Sequence, residues 1–433
     1  MSEIQVPNAP SRTERRWRRA STAVVATFVA ALSTTASLAS TTVADAAPTQ
    51  PPPVSILTSQ GNLGRGDFFI SPFGDATTYA DGPEILDRKG NVVWFQAVPA
   101  GEEASDFRTQ TYRGQAVLTW WQGTGLGGLA SGTDYIYNDH HHQIATVQAG
   151  NGLSADGHEF LITPQNTALI LSYTSATANL SSIGGPSNQA VIDGVVQEID
   201  IATGHVLFQW NSADHVPYSQ SEQPLPSSAS TPWDWFHINA VKVDTDGNLL
   251  IDARDTWTTY KVNRFNGNII WQLGGKASSF TLKAAPGQSL NDAGDIFAWQ
   301  HDPEPRGNDE YTIFDNESAG VANSGVGSTS QFGLSRVVRF KLNERNHTAT
   351  LLQSEDQPEG LTAPSQGNAQ PLADGGELVG WGSLPYFSEF DSYGNLIFNA
   401  QLPAGVNSYR AYLLPWKGPG FGRSSGHGGH RRR

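Results

Sequence analysis

The stretch that decides the fold runs His237-Ile238-Asn239-Ala240-Val241-Lys242-Val243-Asp244-Thr245-Asp246-Gly247-Asn248-Leu249-Leu250-Ile251-Asp252-Ala253-Arg254. Two apolar-rich runs flank an Asp-Thr-Asp-Gly turn, in which the glycine accepts the positive φ of a tight antiparallel connection. Two more short runs follow, separated by Asn/Gly turns. The segment therefore predicts four consecutive antiparallel strands at 237–243, 248–254, 258–263 and 269–273.

Working outward, the last turn of this unit recurs along the chain. An apolar or alternating run meets a polar turn, usually with glycine, and a β-branched or aromatic run follows. Copies stand at Ile85–Trp94, Glu198–Phe208, Lys261–Trp271 and Glu389–Phe398, with weaker ones at Tyr135–His142 and Val338–His347. From Gly90 to Gly394 the five intervals average about 61 residues. Six repeats of four strands predict an all-β fold: a six-bladed β-propeller with four-stranded antiparallel blades around a central channel. A pair of β-sandwiches is the alternative, but it needs no such period. Ring closure is expected from the last apolar run, Tyr409–Leu414, completing a blade with Val54–Leu57.

Composition sets limits. The chain has 433 residues, 45 Gly, 25 Pro, no Cys and a formal net charge of −14. Residues 1–47 are expected to be an export leader: Arg12, Arg15, Arg16, Arg18 and Arg19 precede an uncharged stretch, and Ala44-Asp45-Ala46 offers a cleavage site. The propeller is assigned to 48–416, and the basic Gly/His/Arg-rich stretch 417–433 to a disordered tail. The central part carries 17 basic against 38 acidic residues, net −21, which disfavours nucleic acid as a partner. Once the leader is removed, no stable membrane insertion is expected. The expected location is outside the cell or in its envelope. Without cysteine, an oxidising compartment poses no hazard.

Candidate chemistry comes from three matched histidines. His158, His237 and His301 each open a predicted hairpin, so a ring of repeats would bring all three to one axis. Mirroring each hairpin about its turn sets His237 opposite Arg254, provided there is no bulge. The same operation sets His158 opposite Tyr173 or Thr174, and His301 opposite Asp315 or Asn316. Asn239 shares the face of His237 by strand alternation. Trp235 and Trp299 precede the second and third histidines; they either wall an aromatic pocket or pack between blades. Three histidines suit catalytic zinc, yet a neighbouring arginine disfavours a cation. Histidine and arginine also suit a tetrahedral oxyanion, to which an imidazole can act as nucleophile.

These residues resemble the arylsulfotransferase (ASST) family, in particular its divergent exported actinobacterial and fungal branch. The resemblance is carried by Asp234–Val241, Asp246–Arg254, Ile269–Gly275, Trp299–Asp302 and Phe314–Asn316, and is extended by Gly157–Phe160 and Gly367–Gln370, which includes Asn368. It implies a six-bladed propeller that moves a sulfuryl group from an aryl sulfate ester to a phenolic acceptor. That reaction needs no nucleotide donor, metal or other cofactor. By motif, His301 is the residue transiently sulfated, His237 and Arg254 bind the sulfuryl oxygens, and His158 is a polar contact or proton shuttle. Substrate-binding roles are expected for Asn239, Trp235, Trp299, Asn316 and Asn368. Asp255 departs from the family pattern, which has His or Asn at this place in many members, and a carboxylate there would dampen the positive pocket. The family's extra N-terminal β-domain has no counterpart, and the oligomeric state stays open. Two rivals remain: an extracellular propeller that binds a glycan, polyphenol or sulfated ligand without turnover, and a metal-dependent hydrolase or lyase.

Overall fold

The computed structural model describes residues 48–61, 63–126, 129–319 and 331–418. The expected leader, and the tail from residue 419, lie outside them. Six sheets circle a common axis as a six-bladed β-propeller, and the single α-helix among the described residues is Ser212–His215.

The decisive stretch forms the fourth blade. Its strands are Ile238–Val243, Leu249–Ala253, Thr258–Val262 and Ile269–Leu273, paired in that order from the axis outward. Inner strands of the other blades are Asn407–Leu414 for the first, Glu103–Tyr112 for the second, Phe160–Ile162 for the third, His301–Gly307 for the fifth and Asn368–Pro371 for the sixth. The repeated turn of the sequence closes the outer hairpin of each blade. Asp87, Asn138, Asp200, Asn263 and Asp391 each donate a backbone N–H across it at 2.9–3.0 Å.

Closure differs from the expectation. Tyr409–Leu414 does not meet residues 54–57. Its strand, Asn407–Leu414, pairs with Asp67–Phe73 as the innermost strand of the first blade. Ser55–Ser59 pairs instead with Leu396–Gln401, as the outermost strand of the sixth blade. Burial explains the division. The first run is buried through nearly its whole length and suits the axis, whereas the second alternates between exposed and half-buried residues and suits an outer edge. Two latches thus bind opposite ends of the chain and cover edges that an open ring would leave unpaired.

The core lies between neighbouring blades. Trp120, Trp121, Trp210, Trp233, Trp235 and Trp381 are fully buried there, each contributing on the order of 2 kcal/mol or more by area removed from water. Near the axis, amide side chains stitch inner strands of adjacent blades together. Asn368 accepts from Ala411 N at 2.9 Å and donates to Ala411 O at 2.8 Å. Gln370 does the same with Leu413, and Gln110 with Ile162 and Phe160.

Candidate active site

The three histidines meet at the axis. His158 and His237 have ring centroids 5.2 Å apart and perpendicular planes. Tyr409, from the first blade, lies 5.4 Å from His158 and 6.5 Å from His301. Tyr173 lies about 6 Å from both His158 and His237. All three imidazoles are buried, at 1–3% exposure. Rings separated by more than 60 residues in sequence share one buried cluster because each stands where its repeat enters the innermost strand.

Local sequence fixes how each ring is held. Asp156, two residues before His158, accepts both its backbone N–H and its Nδ1 proton. Asp234, three residues before His237, does likewise at 3.1 Å from the backbone nitrogen and 2.6 Å from Nδ1. The chain reaches this grip through a left-handed backbone at His237, φ 49°, an unfavourable conformation for a residue with a Cβ and one that the surrounding contacts must maintain. His301 is held differently. Its Nδ1 meets Oδ1 of Asn316 at 2.7 Å.

Hairpin mirroring located the neighbours to within a residue or two. The backbone N–H of Arg254 donates to His237 O at 3.0 Å, and Ile238 pairs with Ala253 as the mirror requires. The hairpin does carry a bulge, at Asn239. The amide of Asn239 donates to Gln300 O at 2.7 Å, bridging to the residue before His301. His301 pairs by backbone with Phe314, displaced by a register shift further along that strand.

Arg254 is buried and already engaged. Its Nη1 donates to Asp255 at 2.6 Å, and its Nη2 donates to the carbonyls of Ala319 and Pro364. Trp235 is buried in the core, its Nε1 donating to Asp193 at 2.8 Å. Trp299 stands against Trp257 at 4.7 Å and Phe332 at 5.1 Å, a small aromatic cluster that includes Ala319. Asn316 donates to the carbonyls of Ala363 and Gln366, and Asn368 spends its amide on Ala411.

Electrostatics separate the histidines. Burial opposes charge on His237, but the Asp234 carboxylate, assisted by Asp255, holds its pKa above the ordinary value. Burial pushes His301 well below the ordinary value, and the Arg254 guanidinium with the other two histidines pushes it further, against the Asn316 hydrogen bond. The two shifts run in opposite directions, so His237 keeps its proton to higher pH than an ordinary imidazole and His301 loses its proton at lower pH. Asp234, His237 and Asp255 bring one ligand atom each within 4.8 Å of one another. The donor set fits a metal poorly, since Arg254 occupies Asp255 and the histidine nitrogen faces Asp234 at hydrogen-bond distance.

Below the histidines a buried ion network fills the axis. Lys242 contacts Glu159, Asp302 and Glu304 at 2.7–3.0 Å. Arg410 contacts Asp106, Glu159 and Asp302 at 3.1–3.3 Å, and Arg108 pairs with Asp106 and Glu159. A cavity of about 740 Å³ opens past this network, lined by later residues of the inner strands, and contains none of the histidines.

Sequence reasoning did not assign Asp156, Asp234, Tyr173 or Tyr409 to the site. Asp-x-His and Asp-x-x-His spacings signalled the first two. Tyr173 appeared only as the mirror partner of His158. Tyr409 was invisible, because its place depends on the C-terminal strand returning to the axis.

The fold and site together define a six-bladed propeller with a polar, titratable cluster where its blades converge. The arylsulfotransferase (ASST) family profile matches residues 108–402. The chain belongs to that family, which supports arylsulfotransferase activity in the broad sense and small-molecule substrates. No curated protein matches it. Among solved structures it is similar to a protein of unknown function from Bacteroides caccae, with TM-score 0.45 and 12% identity, covering 80% of this chain and 98% of that one. It is also similar to a protein of unknown function from Dyadobacter fermentans, with TM-score 0.38 and 11% identity over 82% and 88% of the two chains. A third is the β-propeller domain of Cps50 from Myceliophteria thermophila, with TM-score 0.39 and 9% identity over 80% and 89%. No described helix is long and apolar enough to cross a membrane.

Proposed function

We propose that this protein transfers a sulfuryl group from an aryl sulfate ester to a phenolic acceptor through a sulfated His301, with no nucleotide donor. The observation that carries the reading is the meeting of three buried imidazoles at the axis, where His301 rests on the uncharged amide of Asn316 while His237 is gripped by the Asp234 carboxylate. The lone pair of His301 Nε2 attacks sulfur, the S–O bond to the aryl group breaks, and an N–S bond forms. His237 and Arg254 bind the equatorial oxygens, where charge concentrates in the transition state. His158 donates a proton to the departing phenolate, then takes one from the incoming phenol as its oxygen attacks sulfur and the N–S bond breaks.

Tyr409 joins this set. Its hydroxyl is buried without a hydrogen-bond partner among the described residues and is available to a sulfuryl oxygen. The Trp257, Trp299 and Phe332 cluster adjoins the carbonyl that holds Arg254, and offers a wall for the aryl ring. Asn316 and Asn368, with their polar atoms spent on protein groups, act on the scaffold instead of the substrate. We also assign residues 1–47 as an export leader.

The test is phenol release from an aryl sulfate, with and without a phenolic acceptor. Wild type should release phenol faster with acceptor present, and mass spectrometry should find a sulfuryl adduct on His301. If His301→Ala released phenol as fast as wild type, the mechanism would be excluded. A ligand bound tightly and recovered unchanged would point to a binding propeller instead.

A further inference from the structure

Three histidines occupy equivalent places in three blades, yet only two of them face a carboxylate. His158 has Asp156 and His237 has Asp234. His301 has the amide of Asn316, which arrives from across its hairpin instead of from the residues just before it. Resting on the transfer mechanism proposed above, we propose that Asn316 is the positioning residue that makes His301 the nucleophile: its uncharged carbonyl holds the ring as the Nδ1–H tautomer and leaves the lone pair on Nε2.

The hydrogen-bond network fixes the tautomer. The Asn316 Nδ2 donates to two carbonyls, Ala363 O at 2.9 Å and Gln366 O at 3.0 Å. Those carbonyls can only accept, so the amide nitrogen must face them and Oδ1 must face the imidazole. An oxygen there accepts, so His301 Nδ1 carries the proton. Nε2 is then an acceptor, which agrees with the Gln366 N–H that points at it from 3.3 Å. This contact is long, and a sulfur electrophile has only a weak bond to displace.

Against the Asn316 hydrogen bond, burial and the neighbouring Arg254, His158 and His237 disfavour a second proton. Arg254 faces His301 from the fourth blade, His237 from the same blade, His158 from the third and Tyr409 from the first. Asp302, the adjacent carboxylate, is committed to Lys242 and Arg410 in the network below. An aspartate at position 316 would change the balance. It would stabilise the imidazolium and remove the nucleophilic lone pair, as the Asp234 carboxylate is placed to do at His237.

The experiment uses the full chain labelled with ¹⁵N-histidine, and reads imidazole protonation from long-range ¹H–¹⁵N correlations; His301→Gln identifies the relevant signals. In wild type His301 should remain the neutral Nδ1–H tautomer from about pH 8 down to about pH 6. In Asn316→Asp it should take up a proton within that window. Phenol release by that variant should be at least roughly tenfold below wild type at the acid end and recover as pH rises. Asn316→Ala should lose rate by the same factor at every pH. A wild-type His301 that carries its proton on Nε2, or is doubly protonated near neutral pH, would overturn the proposal even if no variant folds. A correct tautomer that responds to Asn316→Asp, with no phenol release from any donor, would instead leave the positioning intact and refute the transferase reading.

Discussion

Arg254 and Asp255, neighbours in sequence, form a buried ion pair in which the guanidinium Nη1 donates to the carboxylate at 2.6 Å. The pair sits where the proposed mechanism needs free positive charge. Burial raises the Asp255 pKa while Arg254 and His237 lower it, with the net effect upward. Asp255 also helps to keep His237 charged.

Asp255→Asn therefore acts in two directions. Releasing Arg254 should tighten binding of an aryl sulfate, lowering KM by roughly three- to tenfold. Weakening the hold on the His237 proton should move loss of activity to lower pH. Steady-state kinetics across pH measure both. An unchanged KM would mean that Arg254 does not bind the sulfuryl group.

The pH profile of the wild type should be bell-shaped. His301 must be unprotonated to attack, and its pKa lies well below the ordinary histidine value. Activity therefore falls on the acid side only as pH drops well below that of a free imidazole. His237 must be protonated to bind oxyanions, and its pKa lies above the ordinary value. Activity falls on the alkaline side as pH rises through it. Initial rates over a broad pH range should show an acid limb below, and an alkaline limb above, the ordinary histidine pKa.

Tyr409→Phe should separate activity from stability. The hydroxyl is buried and unpartnered, so its removal costs the fold no hydrogen bond and relieves about 1 kcal/mol or more of desolvation. If it donates to the sulfuryl group in the transition state, kcat should fall roughly tenfold or more. Thermal melts and single-turnover rates distinguish this outcome from a merely structural tyrosine, whose loss would leave kcat unchanged.

Glu84 predicts a stability change far from the site. Both carboxylate oxygens are buried and unpartnered, and burial pushes its pKa from 4.5 to about 8. The folded state keeps this proton where the unfolded chain releases it, so stability falls as pH rises from about 4.5 towards 8. Glu84→Gln should match wild type near pH 4.5 and be more stable at pH 9, by about 4–5 kcal/mol. Denaturant titrations at the two pH values measure the difference.

Arg410 tests the axial network. Arg410→Met leaves Asp106, Glu159 and Asp302 short of a cation in a dry interior. The expected cost is about 3–5 kcal/mol, visible in the denaturant midpoint. A neutral result would mean that Arg108 and Lys242 neutralise the three carboxylates without help.

Much of this architecture was legible in the chain because the information is local and repeated. A turn needs glycine or asparagine wherever it occurs, so six outer hairpins left six similar marks. The fourth blade could be drawn from sequence to within one residue at each strand end. Pairing across His237 and Arg254 was also readable, since a hairpin is its own ruler. The bulge at Asn239 was not, because it depends on the amide reaching Gln300 in the next blade. Closure was misread because the two terminal runs are similarly apolar, and only their burial in the assembled ring tells the inner strand from the outer edge.

Sequence by itself determined the number of blades, the four strands of the fourth and the three histidines that head three of them, for these follow from turn chemistry and alternation within a few dozen residues. Tertiary structure decided what those histidines are. Whether an imidazole meets the aspartate just before it or an asparagine from across its hairpin depends on how the backbone turns at each strand entry, while the carbonyls that hold Arg254 and the ring of Tyr409 arrive from distant parts of the chain. Protonation depends on burial and on charges within a few ångströms, and such distances exist only after the ring has closed.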